Sequence, residues 1–172
     1  MKKRRSPSEL QALAASRRRS LLFVGVGIVS AVVVSVLSSE FLAIQCVVLA
    51  AITLGGAISC AWAAVSIDPA AAPRAGMQAG MVIAMAYVLP FALIALGRFL
   101  TLDDATASRL AGEMSAAQAT TLVQQHITPG LEYFRGQYVS YIFGYVLFGL
   151  LFGWLLGALG GVVARRTVGI AA

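Results

Sequence analysis

The chain has 172 residues, of which 59% are hydrophobic and only 12% charged, with a formal charge of +6. This excludes an ordinary soluble domain, in which about a quarter of residues are charged. It also argues against a nucleic-acid module, whose basic residues spread over a soluble, aromatic-bearing surface; here they cluster at the ends of apolar segments.

Residues 1–20 form a basic head. Ser6-Pro7-Ser8-Glu9 has the form of a capping box with Pro at the first helical position. It predicts a short helix from Pro7 toward Arg19 along the cytoplasmic surface, its arginines against anionic headgroups. A disordered basic tail that only sets orientation fits equally well. Ser16-Arg17-Arg18-Arg19 before an apolar stretch faintly resembles a twin-arginine signal, but no small-residue cleavage site in a polar setting follows, so cleavage is not expected.

Residues 21–67 are apolar apart from Ser38-Ser39-Glu40. As one helix they would run about 70 Å against a hydrocarbon core of about 30 Å, so the chain must turn back. A turn there gives a first span over 21–37 and a second over 41–66, a helical hairpin. Cys46 and Cys60, about 21 Å apart on the second span, cannot bridge and read as small apolar packing groups. Residues 67–75 are a polar loop marked by Pro69 and Pro73. A third span covers 76–100, with Pro90 inside it to bend the helix and Arg98 near its outer end, within reach of Asp103 or Asp104.

Residues 101–137 are polar enough to lie outside the membrane and carry helix signals of their own. Asp103 and Asp104 begin a helix that stops near Gly112. Ser115-Ala116-Ala117-Gln118 is a second capping box, leading toward Ile127, and Pro129-Gly130 ends that helix. Leu131, Tyr133, Phe134 and Tyr138 read as an interfacial elbow into a fourth span over 138–164, closed by a tail over 165–172. The predicted fold is all-α: an integral membrane four-helix bundle with a short helical external insert between spans three and four. Ten of the thirteen basic residues then fall on one side and five of the seven acids on the other. Basic flanks are retained in the cytoplasm, so both termini are expected inside.

The most specific pattern lies in the fourth span, where Gly149, Gly153, Gly157 and Gly161 form three consecutive G-x-x-x-G steps, a glycine zipper. Glycines four apart make a groove for a neighbouring backbone, and in lipid such packing replaces the missing hydrophobic drive. Gly27, Ala31, Ser35 and Ser39 repeat the theme in span one, Ala51, Gly55, Ser59 and Ala63 in span two, and Gly76, Gly80 and Ala84 in span three. Leu54-Gly55-Gly56 and Leu159-Gly160-Gly161 hint at two related hairpins. On the fourth span, about 140° from the glycines, Tyr141, Tyr145, Phe148 and Phe152 form a bulky face that reads as lipid-facing, or as a dock for a partner helix or apolar cofactor.

No catalytic constellation is visible, and no ionisable group lies at mid-membrane as a coupled transporter requires. Gln45, Thr53, Ser59, Gln78 and Ser140 are expected to hydrogen-bond between helices. His126, the lone histidine, has no second ligand near it and reads as exposed at a helix end. Met77, Met81 and Met85 share one helical face at spacing four. Thioethers bind Cu(I), and this row beside a glycine-lined helix resembles part of the trimeric copper-uptake channels; adaptable packing by methionine is the plainer reading. The overall plan resembles small bacterial inner-membrane proteins of unknown function, a likeness that implies the membrane but no activity. The sequence therefore points to a non-enzymatic accessory subunit or homo-oligomer acting through helix contacts, with no cofactor, resident metal or nucleic acid, and with the lipid bilayer and a membrane protein or a second copy as partners. A small channel for Cu(I) or another solute is the competing expectation.

Overall fold

The computed structural model describes residues 6–37 and 42–170, with side chains over 6–34 and 44–167. The basic residues Lys2 to Arg5, the turn at Ser38-Ser39-Glu40 and the side chain of Ser35 lie outside the described residues. Among the described residues the fold is all-α. It comprises α1 (Pro7–Leu37), α2 (Leu42–Val65), a 3-10 turn (Pro69–Ala71), α3 (Ala72–Thr101), α4 (Asp104–Gly112), α5 (Ala116–Gln124) and α6 (Leu131–Ile170).

Three stretches are long and apolar enough to cross a membrane: Ile44–Val65, Pro69–Thr101 and Leu131–Thr167. Among its described residues α1 has no such stretch, because Arg17, Arg18 and Arg19 leave only the part beyond them uncharged. A single helix runs through the arginines, where the sequence suggested a surface helix distinct from a first span. Likewise α6 begins at Leu131 and continues for 40 residues without an elbow. At 1.5 Å per residue it is about 60 Å long, twice a hydrocarbon core.

The chain divides at Pro90 into two compact units, one of residues up to Pro90 together with those from Val146, the other Phe91–Tyr145. In the first unit the core is built mostly of alanine. Ala12 of α1 meets Ala64, Ala71 and Ala75; Ala61, Val65 and Ala72 meet Ala164 of α6; Cys60, Ala79 and Ile83 pack with Phe23 and Ile52. Such small side chains let helix backbones approach closely. The apolar stretch containing α3 is the most enclosed of the three, 56% buried against 33% and 28%. At the start of α1, Ser6 Oγ accepts from the Glu9 amide at 3.1 Å. The Glu9 carboxylate does not return to complete the box but pairs with Arg74 of α3.

The second unit has a core of its own. Leu102, Ala107 and Phe134 are buried, with Leu110, Met114, Leu131, Tyr133 and Tyr138 around them. The aromatic residues expected to mark an interfacial elbow thus bind α4 to the first turns of α6. Asp103 caps α4 by accepting from Thr106 N at 2.8 Å, and Ser115 and Gln118 form both halves of the capping box that opens α5. At the other end of α5, His126 N donates to Val123 O at 3.1 Å and Ile127 N to Leu122 O at 2.9 Å. These are the two bonds of a Schellman stop, and His126, with φ 57°, holds the left-handed position that glycine ordinarily takes.

Two outcomes follow from these caps. The hydrogen bond from Thr106 holds the Asp103 carboxyl below its ordinary range. Its stabilisation of α4 is therefore complete above the ordinary carboxylate pKa and lost as pH falls through the lowered one; amide chemical shifts over residues 104–107, followed from about pH 6 to about pH 2, should report fraying only at the acid end. Replacing His126 with Gly removes the cost of a left-handed non-glycine residue, and hydrogen exchange over 122–127 should slow by the equivalent of about 1 kcal/mol.

Candidate functional site

The glycine row of α6 is occupied by α3. Glycines at 149, 153, 157 and 161 fall on one helical face because four residues advance about 400°, little more than one turn. Gly76, Gly80, Ala84 and Val88 form the matching face of α3, and the two rows meet antiparallel. A methyl group on Gly80 would lie 2.5 Å from Gly153 O and from Gly157 Cα; one on Gly76 would lie 2.6 Å from Gly157 O and 2.8 Å from Gly161 Cα. From the other side, a Cβ on Gly153 would stand 2.8 Å from Gly80 O and from Ala84 Cβ, and one on Gly149 would stand 2.6 Å from Val88 Cγ2. No side chain larger than hydrogen fits between the backbones at the centre of this contact. The groove that the sequence offered as a surface for a partner is filled from within the same chain.

The neighbouring glycine extends the contact to another helix. A Cβ on Gly160 would meet Ala57 Cβ at 2.9 Å and Ile58 N at 3.1 Å, so adjacent residues of α6 lie against α2 and, through Gly161, against the start of α3. The similar triplets of α2 and α6 are used differently. Gly56 faces Ile83 and Phe23, whereas a Cβ on Gly55 would meet nothing within 4 Å. Ala51, one turn before, is exposed as well. In α1, a Cβ on Gly27 would stand 3.5 Å from Ile83 O and 3.6 Å from Tyr87 N of α3.

The three methionines belong to the same packing. The Cα atoms of Met77 and Met81 lie 2.8 Å from where a Cβ on Gly157 and on Gly153 would stand, and Met85 Sδ lies 3.3 Å from one on Gly149. Met81 also lines a groove between α1 and α3. The row is thus the flank of α3 that accommodates α6. Among the described residues no three His, Cys, Asp or Glu side chains group in a way that could hold a metal ion.

Among the described residues, none of the five polar side chains expected to bond between helices does so. Thr53 is fully buried with no partner for its hydroxyl, Ser140 turns back onto Gly136 O at 2.9 Å, and Gln78 is exposed. Gln45 and Ser59 contribute their carbonyls, the first to Tyr87 OH at 3.3 Å and the second to Arg19 at 3.3 Å. A bond that sequence reasoning missed joins Trp62 Nε1 to Thr167 Oγ1 at 3.1 Å; nothing in the spacing of two residues 105 apart could have revealed it. The aromatic face of α6 is divided. Tyr145 stacks on the buried Phe91 at 5.7 Å, while Tyr141 and Phe148 stay 50% and 39% exposed and Phe148 stacks on Phe152.

A second concavity, of about 660 Å³, lies within the second unit between α4, α5 and the start of α6. Gln118, Thr121, Gln125 and Gln137 line it together with Tyr133 and Met114. Gln137 Nε2 donates to Tyr133 OH at 2.7 Å, and the wall is mixed, with Leu110, Leu122 and Phe134 beside the amides and Glu113 as its charged residue. His126 is exposed and is not among its lining residues. Comparison of the chain with known protein families, curated proteins and solved structures finds no match.

The contact between α3 and α6 makes an asymmetric demand on glycines. In detergent, Gly80→Ala should lower the thermal unfolding midpoint by an amount equivalent to about 1–3 kcal/mol, the cost of overpacking where backbone blocks relief. Gly97→Ala, at a site with nothing within 4 Å, should leave it unchanged or slightly higher.

Proposed function

We propose that this chain is a four-span protein of a bacterial inner membrane, with both termini in the cytoplasm, that performs no chemistry of its own and acts by holding a membrane partner or a second copy of itself. Residues 21–37, the apolar part of α1, supply the fourth span, preceded by arginines that stay at the cytoplasmic surface. The orientation rests on the distribution of Lys and Arg, with Arg165 and Arg166 closing the last helix on the same side as the basic head.

The observation that carries the reading is the contrast between used and unused small residues. The rows of α3 and α6 are spent on each other, and Gly27 of α1 is spent on α3. On α2, Ala51 and Gly55 are exposed, and a Cβ on Gly55 would meet nothing within 4 Å, as is also true of Gly25 on α1, Gly97 on α3 and Gly144 on α6. A small residue that faces open space on an apolar helix is where a further helix can approach closely without displacing a side chain. The neighbouring exposed residues, Ile44 and Val47, are apolar and suit lipid or another helix equally.

Gly55→Leu should therefore reduce the oligomer mass or the yield of co-purified partner in mild detergent, while leaving the thermal unfolding of the chain within about 0.5 kcal/mol of the parent. Unchanged assembly, with the same partners recovered, would overturn the reading. Gly153→Leu, by contrast, should impair folding itself.

A further inference from the structure

We infer that the groove between α1 and α3 is a binding site for one anionic phospholipid, its phosphate held by Arg17 and Gln78. The inference rests on the chain's being inserted in a membrane, though not on its having a protein partner. The groove encloses about 580 Å³, and its wall is mostly apolar, with Leu10 and Leu13 at one end and Met81 and Val82 at the other. Its polar groups sit between these ends. Ser16 and Ser20 are nearly fully buried and already engaged, Ser16 with the Cys60 thiol and Ser20 with Arg17 O at 2.8 Å. They fix this part of α1 against its neighbours and are not free to bind.

Arg17 and Gln78 are different. Both line the groove and both are exposed, and among the described residues neither side chain has a protein partner. Gln78 lies nine positions into the apolar stretch that begins at Pro69, where an unpaired amide facing lipid is costly. Arg17 brings a permanent positive charge and five N–H donors suited to a phosphate. Among the described residues the first unit has two acidic side chains, and both are engaged elsewhere: Glu9 is paired with Arg74, and Asp68 caps the 3-10 turn by accepting from Ala70 N at 3.0 Å. Arg18 and Arg19 turn to the other side of α1, where they line a separate groove beside α2 and Arg19 donates to Ser59 O, so the charge that faces this groove is that of Arg17.

A lipid meets each of these features. Its phosphate accepts from the Arg17 guanidinium and the Gln78 amide, and an acyl chain lies along Met81 and Val82 toward the membrane interior. Basic pockets between membrane helices near the cytoplasmic face take anionic headgroups in this way. A zwitterionic lipid offers the same phosphate but adds a cation that Arg17 repels, which gives the site its preference.

The test uses the full chain in nanodiscs of phosphatidylcholine doped with phosphatidylglycerol, with bound lipid counted by native mass spectrometry after release from the disc. One phosphatidylglycerol should be retained in preference to phosphatidylcholine by roughly fivefold, about what one arginine at an anionic surface supplies. Arg17→Gln should abolish the preference, Gln78→Leu should lower the retention of both lipids alike, Arg166→Gln should keep the preference, and millimolar inorganic phosphate should not displace the lipid. Equal retention of the two lipids, or loss of preference in Arg166→Gln as large as in Arg17→Gln, would overturn the site while leaving membrane insertion intact. A chain that does not incorporate into the discs would overturn both.

Discussion

The close approach of α3 and α6 is the constraint on which the first unit depends. Backbone carbonyls of each helix stand where a Cβ of the other would be, at Gly76, Gly80, Gly153 and Gly157. At that separation dispersion acts between whole backbones, each pair of atoms contributing little and the many pairs together contributing substantially. The contact tolerates no compromise at its centre, because the atoms that would have to move are main-chain atoms. Toward its ends it relaxes: Gly149 faces the methyls of Val88 and the flexible thioether of Met85, either of which can give way.

With α3 fixed against α6, the remaining helices take the faces left to them. Alanines at 75 and 79 and Ile83 turn toward α1 and α2, and Gly160 receives Ala57 of α2. Few polar bonds cross between helices in this unit: those at Gln45 and Ser59 use carbonyls already committed within a helix, and Trp62 with Thr167 and Glu9 with Arg74 join side chains. On the proposed reading, with lipid around the helices, small residues and shape determine the arrangement, and the bilayer provides no competing drive to bury apolar surface. The second unit is organised on other terms. Short, capped helices with buried Leu102, Ala107 and Phe134 are the economy of an ordinary soluble structure, in which apolar burial and satisfied helix ends suffice.

Much of this was legible in the chain. The capping signals at Asp103 and at Ser115 with Gln118 mark helix starts because they are local: acceptor and amide lie within three residues, and no distant part of the chain can alter them. The apolar lengths of α2, α3 and α6 were legible for a similar reason. What the sequence could not assign was the partner of each small-residue row. G-x-x-x-G states that a backbone approaches, and is silent on which one, so the row at 149–161 read as a surface for other proteins until α3 was found against it. Gly55 and Gly56 differ by one residue and 100° of rotation, yet one is open and the other packed; only tertiary placement separates them. The aromatic residues near 131–138 misled in the same way, since Phe134 has the chemistry of a membrane-interface residue and the position of a core residue. His126 was read as exposed at a helix end, where it stands, but its left-handed conformation gave no signal, because glycine is the usual mark of a helix stop and none stands there.

Whether the glycine face of α6 is spent inside one chain or between chains is decided most directly by a disulfide. With Cys46 and Cys60 replaced by Ser, Val88→Cys combined with Gly149→Cys, at the end of the contact where side chains can give way, brings one sulfur beside the Cβ of the other, since a Cβ on Gly149 would stand 2.6 Å from Val88 Cγ2. Oxidation in native membranes should give a faster-migrating monomer, in a yield that does not change as the protein is diluted with lipid. A cross-linked dimer whose yield falls on dilution, or no cross-link at all, would contradict the pairing of α3 with α6 and with it the arrangement of the whole first unit.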